Sequence, residues 1–471
     1  MKNNRRTFLK HSGLAGLGLA TGNMAASYAG NKDDVLQMKP ATLPQHFNMC
    51  GYAAPPLNVV RTGFVGLGNR GMAAVERIIK IEGVEIKAIC DLRAERVATG
   101  LKTAEAYGHH PETYSGHPEA WKKLCERTDI DLIYILTPWA LHTPIAVFAM
   151  THGKHVCVEV PAAKTIEECW QLVHTSERTK KHCMMLENCC YDFSEMLTLN
   201  MARHGFFGEI THCEGAYIHG LLDLIVSKDR FYQMWELAEA YERKGNLYPT
   251  HGLGPLCQVM NINRGDSMDY LVSVSNNDFM LGELVNGLAA KDDFYKPFAG
   301  KLYNGTMNTT TIRTVKGKTI MLQYDIYSPR PYSRIQLISG TKAVSLKYPE
   351  PARYAVDGEW LSADEYKKLE EKYTPPIIKK IGEVAKKVGG HGGMDFLMDW
   401  RTIDCLRNGL PLDQDVYDAA LWSAIAPLTE WSVANRSNSI DVPDFTDGAW
   451  QKNTPVDILM EKGGNTGVRG G

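Results

Sequence analysis

The chain has 471 residues, with 52 Lys and Arg against 54 Asp and Glu and a formal net charge of −2. That balance excludes nucleic acid or another polyanion as a partner argued from charge, and no internal run reaches the roughly 20 apolar residues of a membrane span. Eleven cysteines, an odd number without C-x-x-C spacing, exclude a disulfide framework and a zinc site, and no metal is expected.

The N-terminus departs from the rest. Arg5-Arg6-Thr7-Phe8-Leu9-Lys10 is a twin-arginine pattern, followed by a short Gly- and Ala-rich apolar stretch from Ser12 to Ala20. Ser27-Tyr28-Ala29 offers a small-x-small cleavage site, with cutting after Ala29. Residues 1–29 therefore read as a signal peptide. They imply the twin-arginine export machinery as a partner and the periplasm or cell surface as destination. Residues 30–57, punctuated by Pro and Gly, read as an extension wrapped over a surface.

From residue 58 strands and helices alternate. "NVVRTGFVGLG" is a short buried strand, and "NRGMAAVERIIKIE" has helical spacing through Met72, Val75, Ile78 and Ile79. "VEIKAICD" is the next strand and "LRAERVATGLKTAEAYG" the next helix, stopped by Gly108. "DIDLIYILTP" and "KHVCVEV" are strands, each followed by a helix, and "HCMMLENC" closes the series. Alternation of this kind predicts an α/β fold, with a doubly wound parallel sheet over residues 58–194.

After about residue 195 the pattern changes. "GEITHCEGAYIHG", "DYLVSVSNND", "NTTTIRTVKG", "KTIMLQYDIYS" and "YSRIQLISGTKAVSL" read as strands joined by short turns. They predict an α+β domain over residues 195–451 with an open, mostly antiparallel sheet. The helical stretch "DAALWSAIAPLTEWSVANRS" returns to the core, and residues 452–471 read as a frayed tail.

Gly66-Leu67-Gly68-Asn69-Arg70-Gly71 has the G-x-G-x-x-G spacing of a dinucleotide-binding turn, between a strand and a helix. Gly66 permits the turn, Gly68 admits the pyrophosphate and Gly71 lets the helix pack on the strand. Asp91, at the end of the next strand, suits ribose hydroxyls and repels a 2′-phosphate, which favours NAD. Arg70 complicates that choice, because a basic side chain there can touch a phosphate. Later strand ends should add contacts at Thr137-Pro138-Trp139-Ala140-Leu141-His142 and at Glu159-Val160-Pro161. His142 alone could equally make only local hydrogen bonds at a helix start.

These segments together resemble the Gfo/Idh/MocA oxidoreductases, whose marker is a Glu-Lys-Pro tripeptide with a lysine that assists hydride transfer. Here Val160 stands in that lysine's place. "GNLYPTHGLGP" (Gly245 to Pro255), "SPRPYSR" (Ser328 to Arg334) and "GHGGMDF" (Gly390 to Phe396) resemble glycoside hydrolase family 109 within that superfamily, over residues 58–440 or so. The resemblance implies an α-N-acetylgalactosaminidase-like enzyme using NAD. It implies cofactor contacts at Asn69, Arg70, Asp91, Trp139, Ala140, Leu141, His142, Glu159, Val160 and Asn188. It implies a sugar site at Tyr217, Tyr248, Pro249, Thr250, His251 and Tyr332, and at Glu236, which stands where the family has a sugar-contacting arginine. Open sheets pair in the superfamily, which implies a homodimer. One position departs: the family pattern has an arginine after the tryptophan of "MWELAEAYERKGNLYP", and here Glu236 follows Trp235. Arg243, two turns on, is a candidate to reach the same space.

The implied chemistry is redox-neutral. A hydride leaves sugar C3 for NAD, a base removes the acidified C2 proton, the C1 group is eliminated, water adds and the hydride returns. His251 is the candidate acid/base, since histidine titrates near working pH, and Tyr217 is the candidate proton-transfer partner. Two other readings stay open at this point. An exported sugar oxidoreductase similar to glucose–fructose oxidoreductase is opposed by Val160. A non-catalytic sugar-binding relative is suggested by Glu236.

Overall fold

The computed structural model describes residues 45–470. The export signal and residues 30–44 of the extension lie outside the described residues.

The first sheet is built from β1 (Val60–Val65), β2 (Val84–Cys90), β3 (Glu112–Tyr114), β4 (Leu132–Ile135), β5 (His155–Val158) and β6 (Cys183–Met185). Its strand order is β3-β2-β1-β4-β5-β6 and every pairing is parallel. The helices α1 (Asn69–Ile78), α2 (Ala94–Glu105), α3 (Ala120–Glu126), α4 (His142–Thr151) and α5 (Ile166–Thr179) connect the strands. Strands buried on both faces need continuous apolar runs, and β4 and β5 are buried at every position. The order reverses between β1 and β4, which places a ligand crevice at their carboxyl ends. The alternation predicted this sheet. It did not show β3 or α3, because β3 is three residues long and largely exposed.

The second sheet has the order β14-β13-β12-β11-β7-β10-β9-β8-β15. Its strands are β7 (Ile210–Ile218), β8 (Met268–Ser275), β9 (Asn308–Thr314), β10 (Thr319–Asp325), β11 (Leu337–Gly340), β12 (Ala343–Leu346), β13 (Arg353–Val356), β14 (Glu359–Trp360) and β15 (Ile440–Asp441). Neighbours are antiparallel except β7 and β10, so the sheet is mixed. A parallel pair needs a crossover connection. The roughly hundred residues between β7 and β10 supply it and also carry much of the pocket wall.

Five further helices matter to the site: α6 (Phe193–Arg203), α7 (Trp235–Glu242), α8 (Thr250–Met260), α9 (Met394–Asn408) and α10 (Val416–Ala434). Helix α10 is buried along almost its whole length and packs on α5, β6 and β8, so it joins the two sheets. A capping box of Asp415 and Asp418 starts it. Residues 45–57 do lie over a surface. Gln45 and the Met49 N–H bond the Tyr417 hydroxyl, and the Leu57 N–H reaches the Leu406 carbonyl.

The C-terminal stretch corrects the sequence reading. Residues 452–470 do not fray: Val456, Ile458, Leu459 and Met460 are buried, and Val468 bridges Ile81. The Trp400 indole N–H donates to the Thr466 carbonyl at 3.1 Å. These four apolar residues supply enough burial to hold the stretch. All eleven cysteines are free, and all but Cys50 are buried.

Candidate active site

The glycine turn has the geometry a dinucleotide requires. Gly66 sits at φ +93°, where a Cβ would meet the Leu136 carbonyl oxygen at 2.5 Å. A Cβ on Gly71 would lie 1.9 Å from the Gly66 oxygen, so only glycine lets α1 start there. A Cβ on Gly68 would meet nothing within 4 Å, which leaves open space for a ligand's approach. Helix α1 has no side-chain cap, so its first N–H groups are left for an anion. Asp91 follows β2 and braces this turn: its carboxylate accepts the Leu67 N–H at 2.7 Å and the Arg93 N–H at 2.9 Å. An ionised carboxylate has about four lone-pair sites, so capacity remains for ribose hydroxyls.

Arg70 bridges the two halves. Its Nε donates to Glu159 at 2.7 Å and its Nη1 to Asp395 of α9 at 3.0 Å. Asp395 also accepts from Asn188 and contacts His391 of the glycine-rich loop at 2.9 Å. Burial opposes ionisation of Asp395, but His391, Arg70 and Arg77 outweigh it and hold the carboxyl far below its usual range. Arg70, Glu159, Asp395 and Asn188 thus form one polar network beside the turn, and Val160 next to it is buried.

In the Trp139–His142 segment, Ala140 and Leu141 are exposed and Trp139 is buried against the sugar side. His142 is turned inward. It is 1% exposed, and its ring nitrogens face the Pro161 and Thr137 carbonyls at 2.7 and 2.8 Å. Burial pulls its pKa down. His142 braces two strand-end loops, the local role that its residue type left open.

An aromatic wall runs from the turn toward the second sheet. Trp139 packs edge-on to Trp235 at 5.2 Å and lies 6.0 Å from Tyr248. Tyr248 is 4.8 Å from Tyr217, and both lie close to His251, at 4.9 and 5.2 Å between ring centres. His219 continues the wall to Tyr332 at 5.0 Å. Tyr332 is ordered by Arg334, whose Nη1 donates to its hydroxyl at 2.7 Å while Asp192 and Glu195 hold the guanidinium.

His251 stands in the first turn of α8, pressed against β7. Glycines make that approach possible: a Cβ on Gly252 would lie 2.5 Å from the Ala216 nitrogen, and one on Gly215 would lie 2.4 Å from the Gly252 oxygen. The backbones of α8 and β7 meet directly, which brings His251 beside Tyr217. Pro249 and Thr250 are buried at this helix start, directly ahead of His251. Arg243 does not reach the pocket either. It is buried against Glu430, with Nε to carboxylate at 2.6 Å.

The residue that sequence reasoning missed is Glu187. It is fully buried just past β6, and its carboxylate accepts from His251 Nδ1 at 2.7 and 2.9 Å. Its position after a strand's carboxyl end was the available clue. Burial works against its ionisation, but the His251 charge and hydrogen bonds outweigh it and hold the carboxyl below its ordinary value. An ionised carboxylate only accepts, so Nδ1 carries a proton and Nε2 is the nitrogen left to exchange one. Cys189 completes a trio whose donor atoms lie within 4.8 Å of one another. Burial raises that thiol well above its normal range, so it is a poor metal ligand. Tyr217 is likewise pushed up, by burial first and then by the nearby Tyr332 and Glu236. It therefore serves as a proton donor, not as a resting base.

A family model described as glycosyl hydrolase 109, C-terminal domain, matches residues 191–452, and one for the oxidoreductase family, NAD-binding Rossmann fold, matches residues 60–187. An alpha-N-acetylgalactosaminidase of Bacteroides fragilis is 50% identical over 417 residues, covering 87% of this chain and 97% of its own. A glycosyl hydrolase family 109 protein of Shewanella pealeana is 45% identical over 470 residues, covering 98% of this chain and all of its own. Levoglucosan dehydrogenase in complex with NADH shares the fold, with a TM-score of 0.62 at 18% identity over 82% of this chain and 99% of its own.

Proposed function

The chain belongs to glycosyl hydrolase family 109 and carries an NAD-binding Rossmann-fold domain, and on that footing we propose that it hydrolyses N-acetylgalactosaminides, or a related hexosaminide, with NAD held in the crevice between β1 and β4. The carrying observation is the Glu187–His251 pair, which faces Tyr217 at the far end of that crevice. Most glycosidases work with two carboxylates flanking the bond. Here Glu159 is committed to Arg70 and Glu187 to His251, so the group positioned to exchange protons is an imidazole.

The residues beside the turn fit the cofactor: open space at Gly68, free N–H groups on α1 and acceptor capacity on Asp91. Bound NAD supplies a reversible hydride acceptor, which makes oxidation, elimination, hydration and reduction possible with no net redox change. Glu187 accepts from Nδ1 and fixes the ring of His251, so Nε2 can take a proton from the sugar and return one. Tyr217 donates a hydrogen bond across the same space. Tyr248, Trp139 and Trp235 offer faces for a sugar ring, and Tyr332 closes the side nearest His219.

The N-terminal twin-arginine pattern supports export to the periplasm or cell surface, and a redox-neutral cycle needs no outside cofactor supply. No described helix is long and apolar enough to cross a membrane. Exposed Tyr270 and Val274 on β8 of the open sheet support a homodimer, which sedimentation would test. The function is tested with purified protein, aryl N-acetylgalactosaminides and no added cofactor. Phenol release by protein that carries about one NAD per chain is expected. Stoichiometric build-up of NADH with an oxidised sugar would instead show an oxidoreductase.

A further inference from the structure

The sheet order fixes where the cofactor crevice opens, and a short stretch of the sugar half lies across that opening. The glycine turn follows β1, and β2 and β4 flank β1 in the sheet. Arg93 stands just past β2 and Trp139 just past β4. The same stretch meets both. The Tyr232 ring lies against the Arg93 guanidinium at 5.2 Å, and Trp235 packs edge-on to Trp139 at 5.2 Å. The two contacts are about two strand spacings apart, roughly 10 Å, which residues 232–235 bridge through their side chains. These residues therefore cross the mouth of the crevice above the glycine turn, where a Cβ on Gly68 would meet nothing within 4 Å.

This stretch is fastened at both ends and open to solvent between them. Ile225 and Val226 are buried, and the Tyr295 hydroxyl donates to the Val226 carbonyl at 2.7 Å. Met234 is 1% exposed and belongs to the same apolar cluster as Leu237 and Leu281. Between these anchors Lys228, Asp229, Arg230, Tyr232 and Gln233 are exposed. A segment with so few buried contacts opens more readily than the core. Gln233 and Met234 both take left-handed φ, +55° and +56°, a conformation that is costly for a residue with a Cβ. Backbone of this kind collects at ligand clamps, and a few such residues at an element's end serve as hinges. Lys228 pairs with Asp292 of its own half, and Tyr232 grips the cofactor half. Arg93 is oriented for that grip by Asp91, whose Oδ1 accepts from its backbone N–H at 2.9 Å and from its Nε at 3.4 Å.

We propose that residues 227–233 form a gate over the dinucleotide crevice, latched by Tyr232 on Arg93, and that NAD enters and leaves when this latch opens. The latch joins protein to protein, so it slows entry and exit alike and leaves affinity nearly unchanged. A cofactor that is restored in every cycle then stays in place between turnovers. The inference rests on the reading that NAD occupies this crevice, but it concerns exchange of the cofactor and can be measured without turnover.

The test is an exchange experiment on the protein carrying NAD. Excess isotopically labelled NAD is added, and its uptake is followed by mass spectrometry. Equilibrium dialysis against a series of NAD concentrations gives the affinity. Tyr232→Ala should exchange roughly 3–30-fold faster than the wild type, the range that a cation–π contact supports, with Kd moved by less than about twofold. Arg93→Met should exchange as fast as Tyr232→Ala, and the double variant no faster than either, because all three remove one contact. Tyr232→Phe keeps the ring face and should exchange like the wild type. Wild-type exchange in Tyr232→Ala, additive effects of the two single substitutions, or a Kd weakened in step with the exchange rate would overturn the gate. The last result would make Tyr232 an ordinary contact of the ligand. Unfolding in denaturant reports whether each variant is folded. A wild type that binds no NAD would end the reading of the crevice together with the gate. Absence of phenol release from protein that retains NAD would count against the glycosidase reading alone.

Discussion

Among the described residues two α-helices present a histidine in their first turn, and they do opposite things with it. His142 opens α4, and both of its ring nitrogens face backbone carbonyls inside the protein. His251 stands in the first turn of α8, and one nitrogen meets a buried carboxylate while the other is left for the pocket. Residue type and helix position are nearly the same. The partner decides the chemistry: carbonyls fix a ring as a brace, whereas Glu187 leaves it able to hold and release a proton. Each site also depends on what the neighbouring backbone allows. The α4 start is closed over by strand-end loops, and the α8 start is held against β7 by Gly252 and Gly215.

That contrast can be broken at several points. The largest effect should come from His251→Ala, which removes the acid/base and should lower kcat by about 10²–10⁴-fold in phenol release. A variant of full activity would end its assigned role. Glu187→Gln keeps the shape but replaces an ionised acceptor with a neutral amide. It should cost about 1.5–3 kcal/mol of transition-state stabilisation, roughly 10–150-fold in kcat. KM should move much less, because Glu187 touches His251 and not the sugar. His142→Ala should behave in the reverse sense. Unfolding in denaturant should show a loss of about 1–3 kcal/mol, with kcat changed only a few-fold once NAD is loaded. A collapse of kcat without loss of stability would return His142 to the site. The smallest effect belongs to Thr165→Ala, which deletes the capping box that starts α5. It should cost about 1 kcal/mol of stability and leave turnover alone.

The sequence carried the cofactor half more fully than the sugar half, for physical reasons. A parallel sheet buried on both faces writes itself as apolar runs, and a dinucleotide turn demands glycine at fixed spacing. Gly66, Gly68, Gly71 and Asp91 could therefore be read singly. The sugar pocket assembles from β7, α7, α8 and the chain near Tyr332, which are far apart in sequence and share no period. Only resemblance tied Tyr217, Tyr248, His251 and Tyr332 together. Glu187 stayed hidden because a lone glutamate after a strand is common, and only its distance to His251 gives it meaning. Pro249, Thr250 and Val160 lie in these motifs as buried positions, and a motif names positions and not side-chain directions.

The central claim is that the bond is cleaved through a transient change at the sugar's own carbons, with His251 exchanging protons there. Turnover in heavy water tests it most directly. Aryl N-acetylgalactosaminide would be hydrolysed by the purified protein without added cofactor, and the released sugar examined for deuterium at C2. Deuterium at C2, appearing in step with phenol and with no net NADH, is the predicted result. Phenol release with C2 still fully protonated would contradict the account.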